Sequence, residues 1–74
     1  SYKEMLRVNT GRVVTTVAYH EAGVGYAKTS KYWSRTTSRH ITQWLVLNGF
    51  SVERGDGLRE VSQETLDNLL KAVA

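Results

Sequence analysis

The chain contains no cysteine and no proline. Without cysteine there is no disulfide framework and no thiolate metal site. That absence fits a reducing, cytosolic setting. A membrane-spanning helix needs about 20 consecutive apolar residues, and no run approaches that length. The first residues also lack the basic-then-apolar layout of a signal peptide. Acids are scarce where the cations gather. Residues 1–40 hold seven Lys and Arg against two acids, whereas residues 41–74 hold three against five. Such asymmetry points to an acidic partner for the basic half, and it also serves plain solubility.

The signatures of catalysis are missing as well. No G-x-S-x-G elbow or P-loop is present, and Gly23-Val24-Gly25 lacks the rest of a dinucleotide fingerprint. His20-Glu21 has no second histidine at zincin spacing, and the only other histidine is His40. Glu53, Asp56 and Glu60 fit a solvated loop better than an acid/base pair. These absences predict a protein that is not an enzyme, with no metal site and no cofactor.

What remains is 74 residues with 41% hydrophobic content. That suits one small folded domain, residues 1–74, rather than a linker. A chain this size buries only about 60% of its unfolded surface, so its core must be used fully. Met5 to Val8 can start a strand, with one helical turn over Tyr2 to Arg7 as the alternative, and Asn9-Thr10-Gly11 is a turn signal. Residues 12–19 are dense in β-branched side chains, with Val13, Thr15, Val17 and Tyr19 expected on one face. Residues 24–29 return as the second arm of a hairpin. A helix follows from about Thr37 to Asn48, with Ile41, Trp44, Leu45 and Leu47 near helical spacing. Ser34, Thr36 and Thr37 are all competent caps, and Gly49 stops the helix. Residues 50–61 resemble a second, smaller hairpin turning at Gly55-Asp56-Gly57, with an edge element or a loose loop as the alternative. The last helix is capped by Ser62, stapled by Val61 and Leu66, and carries Leu66, Leu69, Leu70 and Val73 as a core stripe. The expected fold class is α+β: an antiparallel β hairpin or small sheet with two helices packed on one face.

Lys28 to His40, KTSKYWSRTTSRH, is the most informative stretch. It interleaves Lys28, Lys31, Arg35 and Arg39 with two aromatic rings and contains no acid. A helix N-terminus favours negative charge, yet Arg35 and Arg39 occupy it here. An incoming phosphate would be met by free N–H groups, hydroxyls and guanidinium forks together. The candidate anion or nucleic-acid site is therefore Lys28, Lys31, Trp33, Arg35, Thr36, Thr37, Ser38 and Arg39. Of Tyr32 and Trp33, one can enter the core while its neighbour faces out to stack on a base. The competing expectation is that Arg35 and Arg39 pair with Glu21, Glu53 or Glu60.

The string KYWSRTTSRHI is similar to a motif of small uncharacterised phage-encoded proteins, Lys-Tyr-Ser-x-Thr-Thr-Ser-Lys/Arg-His. The matching residues are Lys31, Tyr32, Ser34, Thr36, Thr37, Ser38, Arg39 and His40, with Trp33 interrupting the pattern. Asn9, Thr10 and the valines after them resemble the strand that precedes the motif. The resemblance spans roughly residues 6–45 and implies a phage or plasmid origin. It implies no particular activity, and it puts the protein in the cytoplasm of a bacterial host. Residues 36–61 also resemble the recognition helix and wing of a winged-helix DNA-binding domain, although a hairpin stands where the preceding helices belong. The expected function is a small phage accessory protein that binds nucleic acid. The alternative is a host-takeover protein that binds and inhibits a bacterial protein.

Overall fold

Alternating and β-branched residues in the first third form a three-stranded meander. The computed structural model describes residues 3–54 and 57–73, with side chains for residues 4–54 and 57–69. β1 (Lys3–Asn9), β2 (Val14–Glu21) and β3 (Gly25–Thr29) pair antiparallel in chain order. α1 (Arg35–Leu47) crosses over, and β4 (Leu58–Val61) returns parallel to β3. α2 (Gln63–Val73) ends the chain's described part. The result is an α+β fold with a mixed sheet in the order β1-β2-β3-β4.

Three expectations are corrected. Residues 50–61 are not a second hairpin. Only Leu58–Val61 is a strand, and its partner is β3 in parallel register, Tyr26 to Leu58 through Thr29 to Val61. Gly55 and Asp56, the expected turn, lie outside the described residues. The winged-helix alternative fails for the same reason, and because three strands, not helices, precede α1.

The third correction concerns the layers. Adjacent residues on a strand point to opposite faces. On β1 and β2, Leu6 and Ala18 pack with Ile41, Leu45 and Phe50 on the α1 side. Their neighbours Met5 and Tyr19 pack with Leu66 of α2. The helices therefore cover opposite faces of the sheet, each with its own core. A bulge makes this possible. Leu6 faces Ala18 but Arg7 faces Thr16, so Val17 is an extra residue. Val17 and Ala18, both fully buried, join the same cluster although they are adjacent in sequence. The expected Val13-Thr15-Val17-Tyr19 face is broken there, and Val13 is exposed.

Both helices begin at expected caps, α1 two residues earlier than Thr37, and α1 stops at Gly49 as expected. The Ser34 hydroxyl accepts the Thr37 N–H at 3.0 Å, and the Ser62 hydroxyl accepts the Thr65 N–H at 3.1 Å. At the other end of α1, the Phe50 N–H donates to the Leu45 carbonyl and the Gly49 N–H to the Val46 carbonyl. That pair of bonds is a Schellman motif with Gly49 at φ 95°. It delivers Phe50 into the same cluster as Leu45. Trp44 is a partly buried member of that core. Leu47, expected on the core stripe, is 85% exposed because it falls on the outer side of the helix. Val61 and Leu69 pack with Leu66, while the side chains of Leu70 and Val73 lie outside the described residues.

Candidate nucleic-acid interface

The basic segment is the connection between β3 and α1, and three local devices hold it. The Ser30 N–H donates to the Val61 carbonyl at 2.8 Å, extending the parallel ladder past Thr29. The Thr29 hydroxyl accepts the Lys31 N–H at 3.1 Å and turns the chain off the sheet. The Trp33 indole N–H donates to Gln63 Oε1 at 3.1 Å, and Gln63 Nε2 donates to the Thr16 carbonyl at 2.7 Å. This relay ties the loop to α2 and to β2. A half-buried indole needs such a polar partner.

Trp33 is thus anchored and packed against the α1-side core. Its ring carries Lys31, whose Nζ lies 3.8 Å from the ring centroid. The free aromatic is its neighbour Tyr32, which is 72% exposed. Of the two rings, Tyr32 is the one open to solvent.

The four cations separate into engaged and unengaged. Lys28 is half-buried, and its Nζ lies 3.6 Å from Glu60 Oε1, its direct partner across β3 and β4. Lys31 rests on Trp33. The side chains of Arg35 and Arg39 are exposed and make no ion pair or hydrogen bond among the described residues. The expected pairing with Glu21, Glu53 or Glu60 does not form. Their spacing puts both on one helix face, continued by the exposed Gln43. No acid stands in the first turn of α1. Thr36 and Ser38 are exposed, whereas Thr37 is buried and its N–H is taken by the cap. Thr37 thus serves the helix cap.

A feature that the sequence did not announce lies beside this segment. Of the four strands, α1 approaches β1 most extensively, which leaves the β3–β4 half of the same face partly uncovered. A cavity of about 430 Å³ opens there. Ile41, Leu45, Phe50 and Leu58 give it an apolar floor, and Lys28, Lys31, Tyr32, Ser38 and Glu60 stand around it. It depends on the parallel return of β4, a pairing for which the sequence carries no short-range signal.

His20 stacks on Tyr26, centroids 4.3 Å apart, and His40 is exposed on α1.

A family model described as "Family of unknown function (DUF8033)" matches residues 14–66. The chain belongs to that family. The matched stretch runs from β2 to the first turn of α2, so it contains the basic segment and the cavity. No curated protein and no solved structure matches the chain. No helix among the described residues is long and apolar enough to cross a membrane.

Proposed function

We propose that the protein is a phage accessory protein that binds nucleic acid by its basic β3–α1 segment. Lys31, Arg35 and Arg39 contact phosphates, Thr36 and Ser38 donate hydroxyls, and Tyr32 stacks on a base. It acts by binding, with no catalytic step, in the cytoplasm of a bacterial host. The observation that carries the reading is the pair of unengaged arginines at a helix start without acids. Like charges one turn apart are unfavourable by a few tenths of a kcal/mol, and a phosphate reverses that sign. The phage origin rests on the likeness of Lys31–His40 to the phage motif.

The test is the salt dependence of binding. For about three phosphate contacts, log K falls with log salt at a slope of about −2 on single strands and about −3 on duplex. Arg35→Ala and Arg39→Ala each reduce the slope by about one, for every sequence alike. Undetectable binding at low salt to both forms sinks the reading.

A second reading is supported by a different surface. Val46, Leu47 and Val52 are exposed, and the first two adjoin Thr42 and Gln43 in an apolar depression on α1. Exposed apolar patches mark protein contacts. A host-takeover protein that binds and inhibits a bacterial protein would use this face. Capture of one host protein that survives nuclease and is lost in Leu47→Glu favours that account.

A further inference from the structure

The cavity beside the basic segment combines features that a purely electrostatic site does not need. Its volume, about 430 Å³, lies in the range of about 300–1,000 Å³ usual for small-molecule sites. Its floor is apolar and includes Phe50, whereas its walls are charged. Glu60 gives Oε1 to Lys28 and remains 63% exposed. Its second oxygen is a ready acceptor for an amine. Ser38 and Thr42 stand on the helix side of the cavity, and Arg35 precedes Ser38 by one turn on the same flank. Tyr32 stands at the wall with its ring exposed. A flat ring fits the apolar floor, and an anionic backbone attached to it would run past the cations outside.

We propose that this cavity takes one unpaired base of a single strand, whose flanking phosphates lie on Lys31, Arg35 and Arg39. The proposal rests on the nucleic-acid reading above and narrows it. A duplex offers no base at this depth without the cost of unpairing and unstacking. Single strands present every base to stack on an aromatic ring and an apolar floor. Glu60 selects bases with an exocyclic amine, because a carboxylate accepts from the cytosine amino group. Thymine has no such amine and fills the cavity less well.

The experiment uses the intact chain and fluorescence anisotropy at low salt. The probes are single strands of about ten nucleotides, one of cytosine and one of thymine, and a duplex hairpin of equal phosphate number closed by a glycol linker, so that it has no unpaired base. The parent is expected to bind the cytosine strand more tightly than the hairpin by about fivefold or more, the low end of one stacking contact. Thymine should fall between them. Thr42→Leu pushes a side chain into the cavity from an exposed helix position and should abolish the single-strand advantage. Tyr32→Ala should reduce it. Methyl NMR of the unmodified protein gives an independent readout. The cytosine strand should shift Ile41, Leu45 and Leu58, which lie beneath the cavity.

Equal binding of strand and hairpin, with shifts confined to residues 31–39, overturns the cavity proposal and leaves the phosphate reading standing. Absence of salt-dependent binding to all three probes overturns both. Nuclease-resistant capture of a host protein that is lost in Tyr32→Ala, with no preference for single strand over hairpin, overturns the cavity proposal in favour of a protein ligand.

Discussion

Gly49 meets two demands at one position. Its φ of 95° lies in the left-handed region, where a side chain costs about 1–2 kcal/mol. A Cβ there would also lie 3.2 Å from the Tyr26 hydroxyl, which donates to the Asn48 carbonyl at 2.8 Å. Gly49→Ala should therefore destabilise the protein by about 2 kcal/mol, read from its urea midpoint. An unchanged midpoint would show that the Schellman turn is not needed to seat Phe50. Thr16 presents the opposite case. Its hydroxyl belongs to a residue 3% exposed and has no hydrogen-bond partner among the described residues. A buried unsatisfied hydroxyl costs about 1–3 kcal/mol. Thr16→Val keeps the β-branched shape and should raise stability by about 1 kcal/mol in the same assay. A loss of stability would mean that the hydroxyl has a partner in solution.

At the scale of elements, α2 is the cover of a whole sheet face. Leu66 is fully buried against Tyr19 and Ala27. Burying a leucine completely contributes about 1.5–3 kcal/mol, and truncating one adds the cost of the cavity left behind. Leu66→Ala should cost about 2–5 kcal/mol, a large share of the roughly 5–15 kcal/mol typical of a domain. Thermal denaturation followed by circular dichroism checks this, and a shift of only a degree or two would contradict the placement. α1 has the other cover, but it does not span its face. Its apolar side takes in Thr37, Ile41 and Leu45 and sits toward β1, while Arg35 and Arg39 stay in solvent. The cavity and the cationic face are consequences of that offset.

At the scale of the molecule, the two cores share the same strands. β2 supplies Val17 and Ala18 to one and Tyr19 to the other, and the Trp33–Gln63–Thr16 relay joins the layers at one end. Neither face can be lost without exposing the sheet. Unfolding should therefore be two-state. Both tryptophans belong to the α1-side core, yet Leu66→Ala, in the opposite core, should lower the midpoint seen by their fluorescence as much as that seen by circular dichroism. Separate midpoints for the two probes would show that α2 melts on its own. The slope of the denaturant dependence should stay unchanged, since the variant exposes no more surface on unfolding.

The sequence by itself determined the local devices. Ser34 and Ser62 cap, Gly49 stops, Val61 staples to Leu66, and residues 14–29 pair as a hairpin. Each depends on residues within a few positions of one another, so side-chain chemistry and periodicity suffice to read them. The basic segment was legible for the same reason, since its four cations lie within twelve residues of sequence, Lys28 to Arg39. Tertiary structure alone decided the rest. The parallel pairing of β4 with β3 joins residues some thirty positions apart, such as Tyr26 with Leu58, and the short polar run Leu58–Val61 carries no trace of its partner. The bulge at Val17 depends on how β1 registers against β2, and it reassigns which residues face which helix. The choice between Tyr32 and Trp33 depended on Gln63, thirty residues away, which offers a half-buried acceptor to an indole. The cavity exists because α1 leaves part of the β3–β4 half open beside Leu58, and no local pattern records how far one element slides across another.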